Sequence, residues 1–304
     1  MTYLLFTLGL AALFFGGEFL VRGASRLALA FNISPMVIGL TIVGFGTSTP
    51  ELLVSLGAAL DGVPAIAIGN VLGSNIANIL LILGVAAVIA PIRMSVRDSW
   101  RDLGIMLGAT ALVWVMLLGG VVTRLEGGVL LLGLLAFLWL SFKLGKVDAE
   151  VDALPPAPIW KSALMTLGGL GVLMLGADLL VTNATIIART YGISEAVIGL
   201  TIVAVGTSLP ELATSVLAAL RKQMDIAVGN IIGSNIFNLL GILGITALVT
   251  PIPAEARFAA ADMPWVAATS VGLVVLAAVF GGLPRLAGAA LLAGYAGYVA
   301  LMMV

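Results

Sequence analysis

Residues 33–92 and 193–252 align without a gap at an offset of 160, and 35 of the 60 positions are identical. Within them GTSTPE (Gly46 to Glu51) answers GTSLPE (Gly206 to Glu211), and GNVLGSNIAN (Gly69 to Asn78) answers GNIIGSNIFN (Gly229 to Asn238). A chain that repeats so closely is constrained to build one architecture twice. Each copy sets a carboxylate inside a long apolar segment, where a charge is costly and needs a reason. Together these features predict a membrane protein made of two half-proteins around a shared polar centre. A tandem duplication without functional meaning does not explain why the identity gathers on polar residues within apolar spans.

Hydrophobic residues make up 61% of the chain and charged residues 10%, against about 25% charged in ordinary soluble domains. Apolar stretches of roughly 20 residues recur throughout, each long enough to cross a bilayer as a helix. We read ten spans, near residues 2–26, 34–60, 65–90, 101–119, 125–142, 159–187, 194–220, 225–250, 264–281 and 284–303. The expected fold is all-α and integral to the membrane. Segment 143–158 (KLGKVDAEVDALPPAP), with its charges and three prolines, separates a first five-helix repeat (1–142) from a second (159–304). The first segment has its positive residues, Arg22 and Arg26, after the apolar run rather than before it. We therefore expect a retained transmembrane helix, not a signal peptide. A net charge of -1 gives no reason to expect a nucleic-acid partner. With neither Cys nor His, disulfides, thiol catalysis and thiolate metal sites are excluded, and the commonest general base is missing.

Lys and Arg set the expected orientation. With the N-terminus outside, the inner connections hold 11 basic residues: Arg22, Arg26, Arg93, Arg97, Arg101, Lys143, Lys146, Lys161, Arg221, Lys222 and Arg285. The outer ones hold 3, Arg124, Arg189 and Arg257. Both termini are thus expected outside and the linker in the cytoplasm. Five spans per repeat is an odd number, so the second copy enters the membrane inverted and the matched motifs meet near the midplane.

Pro50 and Pro210 lie inside spans, where each removes a backbone donor and kinks or breaks the helix. We expect nearby carbonyls, such as those of Gly44 and Thr47 or Ala204 and Thr207, to be freed and to attract cations. Thr47, Glu51 and Ser55 recur at spacing four on one helix face, as do Thr207, Glu211 and Ser215, with Ser48 and Ser208 close to that face. A carboxylate among hydroxyls and carbonyls is a hard-oxygen shell suited to calcium, sodium or magnesium. No Lys or Arg occurs in the second, third, seventh or eighth span to pair with Glu51 or Glu211.

The following helix of each repeat carries Asn70, Ser74 and Asn78, or Asn230, Ser234 and Asn238, again at spacing four. Their amide and hydroxyl oxygens can complete the shell without adding charge. For Asn75 and Asn235 we expect interhelical hydrogen bonds instead. The pairs Gly69/Gly73 and Gly229/Gly233 predict close approach of a neighbouring backbone. Glu18, with Arg22 four residues on, and Asp178, with Thr182 there, occupy matched places and suggest a structural or gating role. Asp61, Asp98, Asp102 and Glu126 read as solvated charges.

The paired GTS-x-PE and GN-x-x-GSN-x-x-N segments resemble the alpha repeats of the cation/calcium exchanger superfamily, most nearly the prokaryotic sodium/calcium exchangers, over essentially the whole chain. The alpha-1 motif is residues 33–92 and the alpha-2 motif 193–252. The resemblance implies ten helices in two inverted halves, alternating access and a diamond-shaped cluster of four cation sites. It implies a calcium site of Glu51 and Glu211 with the carbonyls of Thr47 and Thr207. It implies one sodium site from the Ala204 carbonyl, Thr207, Ser208, Glu211 and Ser234. Its mirror takes the Gly44 carbonyl, Thr47, Ser48, Glu51 and Ser74, and a central site adds Asn78 and Asn238. The first and sixth helices are those thought to slide.

Potassium-dependent members carry an acid where this chain has Asn238, so the resemblance implies potassium-independent exchange. The short linker lacks the regulatory calcium-binding domains of animal exchangers, and the proton/calcium signature is absent. The expected function is electrogenic sodium/calcium antiport exporting calcium, with a proton- or potassium-coupled exchanger of calcium or another divalent cation as the alternative. Two glutamates are neutralised by one calcium or two sodium ions, so the ions compete and coupling follows. An intramembrane enzyme is disfavoured by the missing His and the absence of paired Asp within spans. A non-transporting scaffold leaves two matched polar clusters unexplained. No catalytic residue or cofactor is expected. The expected partners are calcium, sodium and the lipid bilayer, for a monomer in a prokaryotic inner membrane.

Overall fold

The computed structural model describes residues 1–94, 96–145, 158–193 and 204–302. In chain order the helices are α1 (Thr2–Ala30), α2 (Pro35–Thr47), α3 (Thr49–Leu60), α4 (Pro64–Ile89), α5 (Val96–Leu118), α6 (Arg124–Leu144), α7 (Ile159–Thr190), α8 (Leu209–Leu220), α9 (Met224–Val249), α10 (Phe258–Phe280) and α11 (Arg285–Met302). Among the described residues eight helices are long and apolar enough to cross a bilayer, and α2 with α3 makes a ninth span bent by 43°. A helical turn at Ala204–Gly206 and α8 form the end of the seventh expected span. The start of that span and most of the segment between the repeats fall outside the described residues.

Local signals explain several boundaries. Ser34 accepts a hydrogen bond from the Val37 amide and Pro35 follows at the first helical position, which opens α2. Thr123 and Glu126 exchange side-chain and backbone bonds at 2.8 and 3.3 Å, a capping box that opens α6. Glu126 is therefore not simply a solvated charge. Nor is Asp102, which is buried against Arg101 Nε at 2.8 Å.

The chain packs as two compact units, one of residues 1–50 and 145–230, the other of residues 51–144 and 231–304. Each unit takes material from both sequence repeats. In the first, α1 and α7 run antiparallel along a seam of small residues. A Cβ added at Gly9, Gly16 or Gly23 would fall 2.8, 2.6 or 2.7 Å from the backbone nitrogen of Leu180, Leu173 or Thr166. The seven-residue spacing keeps this seam on one face of α1, and Phe14, Phe15 and Phe19 of the same helix are exposed, as suits lipid contact. Beneath the seam, Leu20, Val21, Ala24, Ile38, Val43, Leu173, Ala218 and Ile226 form a buried core.

The second unit is organised by the same kind of cross-pairing. Gly84 of α4 meets Gly288 of α11, and Gly127 of α6 meets Gly244 of α9. Two short antiparallel ribbons extend these pairs. Strand β1 (Ile92–Arg93) pairs with β4 (Gly282–Leu283), and β2 (Val121–Val122) pairs with β3 (Ile252–Pro253). The ribbons join the loop after α4 to the one before α11, and the loop before α6 to the one after α9. Trp114 of α5 donates its indole N–H to the Ala259 carbonyl at 2.9 Å and ties α5 to α10.

Candidate functional site

The bend between α2 and α3 falls at Ser48, with φ -83° and ψ 7°. Its counterpart Ser208 has φ -89° and ψ 9°. The break thus precedes each proline by two residues. Pro50 and Pro210 sit in the first turn of the next helix, where a missing N–H leaves nothing unpaired. Glu51 and Glu211 follow in that same turn, where the helix dipole favours a negative charge. The expectation of a freed Gly44 carbonyl is corrected: it still accepts from the Ser48 amide at 3.2 Å.

Both glutamates are about as buried as a side chain can be, at 1% exposure. In the first unit Ser48 Oγ donates to Glu211 Oε1 at 2.9 Å, so a hydroxyl of one repeat serves the acid of the other. Among the described residues Glu211 Oε2 is buried with no hydrogen-bond partner, and Glu211 has no ion pair. Asn230 braces this turn. Its amide donates to the Glu211 carbonyl at 3.4 Å and to Ser215 Oγ at 3.0 Å, and its Oδ1 lies 3.1 Å from the Thr47 hydroxyl. That makes Asn230 a support rather than the ligand its spacing suggests.

The second unit repeats the brace. Asn70 donates to the Glu51 carbonyl at 3.1 Å and to Ser55 Oγ at 2.9 Å. Ser55 and Ser215, expected to share the glutamate face, are thus engaged by these asparagines. Asn75 and Asn235 bridge α4 and α9, as expected: each Nδ2 reaches the other's backbone carbonyl at 3.4 Å. Asn78 donates to Asn235 Oδ1 at 2.9 Å and Asn238 to Asn75 Oδ1 at 3.0 Å. A π-helical turn begins at Asn78, and another, Phe237–Ile242, includes Asn238. Such bulges re-aim side chains and gather at functional sites.

Of the remaining expected residues, Thr47, Ser48 and Ser234 are fully buried, Ser208 and Ser74 nearly so, and Thr207 half-buried. Ala204 opens its short helical turn. Gly229 of the GxxxG pairs makes the close approach expected, since a Cβ there would lie 2.5 Å from the Met36 carbonyl. Gly69 and Gly73 do not: the nearest atom to the first would be 3.9 Å away, and nothing lies within 4 Å of the second.

Three features escaped the sequence reading. Arg221 binds Glu18, with Nε on Oε2 at 3.0 Å and Nη2 on Oε1, beside the Arg22 contact at 2.5 Å. Its place just past an apolar span was the signal. Ser48 crosses to the other repeat's glutamate, which no spacing rule encodes. Asp262, buried at the start of α10 with Arg257 3.6 Å away, is an in-span acid with its own cation five residues earlier.

A family model described as sodium/calcium exchanger protein matches residues 1–143 and again 161–304. The chain is 42% identical over 261 residues to the inner membrane protein YrbG of Escherichia coli, covering 81% of this chain and 79% of that one. It is 31% identical over 347 residues to the sodium/calcium exchanger MaX1 of Methanosarcina acetivorans, covering 99% and 98%. Among solved structures it superposes on the sodium-calcium exchanger NCX_Mj, soaked with zero Na+ and Ca2+, with a TM-score of 0.87 at 35% identity. That match covers 99% of this chain and 98% of the other.

Proposed function

The chain belongs to the sodium/calcium exchanger protein family, and from that premise we propose that it exchanges sodium for calcium by alternating access. It is an integral membrane secondary transporter, not an enzyme. The observation that carries the proposal is Glu211: a carboxylate at 1% exposure, one oxygen held by Ser48 and the other buried without a partner among the described residues. Burying an ion costs several kcal/mol unless something compensates, and a transported cation is that compensation. Glu51, equally buried on the matched segment, supplies the second charge.

Thr47, Ser48, Ser74 and Asn78, with Thr207, Ser208, Ser234, Asn238 and the Ala204 carbonyl, complete the oxygen shell in this reading. Calcium or two sodium ions neutralise the two glutamates, so one ion species displaces the other. An unoccupied pair of carboxylates is too costly to carry past the apolar barrier, and this couples the fluxes. A third sodium makes the cycle electrogenic, adding roughly 2.3 kcal/mol per charge per 100 mV. With Asn at 238, potassium has no acid of its own and is not required. Both termini lie outside and the linker inside, calcium leaves the cell, and the protein works as a monomer.

Calcium uptake into proteoliposomes driven by an outward sodium gradient, with and without potassium and at stepped membrane potentials, tests this. Uptake should need the gradient, ignore potassium and respond to voltage. Uptake that persists without the sodium gradient, or that demands potassium, sinks the proposal.

A further inference from the structure

Four asparagines in the second unit, each at 1% exposure, form a crossed lattice between α4 and α9. The lattice has a direction. Asn75 Nδ2 donates to the Asn235 backbone carbonyl and Asn235 Nδ2 to that of Asn75, both at 3.4 Å. A backbone carbonyl only accepts, so each of these amides must turn its NH2 toward the opposite backbone. Its own oxygen is thereby fixed as an acceptor facing the next side chain. Asn238 answers Asn75 Oδ1 with its NH2 at 3.0 Å, and Asn78 answers Asn235 Oδ1 at 2.9 Å. What remains on Asn78 and Asn238 is Oδ1, and both oxygens are buried with no hydrogen-bond partner among the described residues.

We propose that Asn75 and Asn235 are positioning residues that hold Asn238 and Asn78, respectively, with the amide oxygen and not the amide N–H turned to the transported cation. This rests on the reading of Asn78 and Asn238 as cation ligands. A carboxamide is nearly symmetric in shape but opposite in polarity at its two ends. Unlocked, it presents N–H donors to a cation in its other orientation and repels it. The relay removes that orientation by geometry, without adding charge to a site that two carboxylates already balance. Ligand-orienting partners of this kind are worth about 10–100-fold in metal affinity.

The test is a set of double-mutant cycles on the full chain in proteoliposomes, reading KM and Vmax separately for calcium and for sodium. Asn75→Leu and Asn235→Leu should each raise the KM of at least one ion by about tenfold, with Vmax less affected. The Asn75→Leu effect should vanish in the Asn238→Ala background and persist in Asn78→Ala, and the Asn235→Leu effect the reverse. A merely structural asparagine would show no such crossed dependence. Asn75→Ser and Asn235→Ser, small and polar, carry the same cycles where a leucine variant does not fold. Effects that add equally in both alanine backgrounds overturn the relay. If Asn78→Ala and Asn238→Ala raise KM but changes at 75 and 235 do not, the relay falls and the ligand reading stands. Unchanged KM values in both alanine variants overturn the ligand reading, and the relay with it.

Discussion

At matched places the two sequence repeats agree in one region and part company in another. Around the glutamates they agree nearly bond for bond. Asn70 holds the Glu51 carbonyl and Ser55, Asn230 holds the Glu211 carbonyl and Ser215, and Ser48 and Ser208 break their helices at the same backbone angles. On the long helices α1 and α7 the symmetry lapses. Glu18 is buried and clamped by two arginines, whereas Asp178, 160 residues later, is exposed. The proposed cation shell accepts only certain oxygen positions, and the matched bonds in both copies fit that demand. A helix that packs along a seam of small residues is under no such demand on where it carries its charge.

The sharpest way to break this comparison is at the acids themselves. Glu51→Gln and Glu211→Gln should each reduce calcium uptake to the empty-liposome background. Wild-type flux in either variant would show the two copies to be unequal and refute the shared role. The glycine pairs should separate where the sequence does not. Gly229→Ala should cost about 1–3 kcal/mol by overpacking against Met36. Gly69→Ala, with room for a methyl, should be neutral or gain up to about 1 kcal/mol of helix propensity. Thermal unfolding in detergent distinguishes the two.

The braces sharpen the symmetric side. Asn230→Ala and Asn70→Ala should both destabilise, by about 1–2 kcal/mol, with Asn230→Ala the worse because the Thr47 hydroxyl also loses one of its acceptors, keeping only the carbonyls of its own helix. The smallest contrast is on the long helices. Glu18→Gln should cost about 1 kcal/mol, since its arginines are half exposed and screened, while Asp178→Asn should stay within about 0.5 kcal/mol of wild type. Equal melting shifts in those two variants would dissolve the difference drawn between the helices.

Much of the molecule was legible beforehand because membrane folding leaves strong marks. Apolar runs gave the spans, and repeated polar residues within them gave the candidate site down to Glu51 and Glu211. What stayed hidden depends on three-dimensional packing. The break was expected at proline, yet the chain turns at Ser48, because a proline in a first turn needs no kink. The α1–α7 seam rests on glycines seven apart, which a search for GxxxG passes over. Gly69 and Gly229 open the same GN-x-x-GSN motif and differ in what lies opposite. The π-helical turns at Asn78 and Phe237 follow from no propensity rule, and neither do the two ribbons.

Those ribbons, read with the glycine seams, bear on ancestry and assembly. Strand β1 belongs to one repeat and its mate β4 to the other, and the same holds for β2 with β3 and for α1 with α7. A solitary repeat would therefore show open strand edges and bare, unfilled furrows to lipid, much like a protomer torn from an intertwined dimer. Fusing two such protomers end to end secures their encounter without altering what each must recognise in its twin.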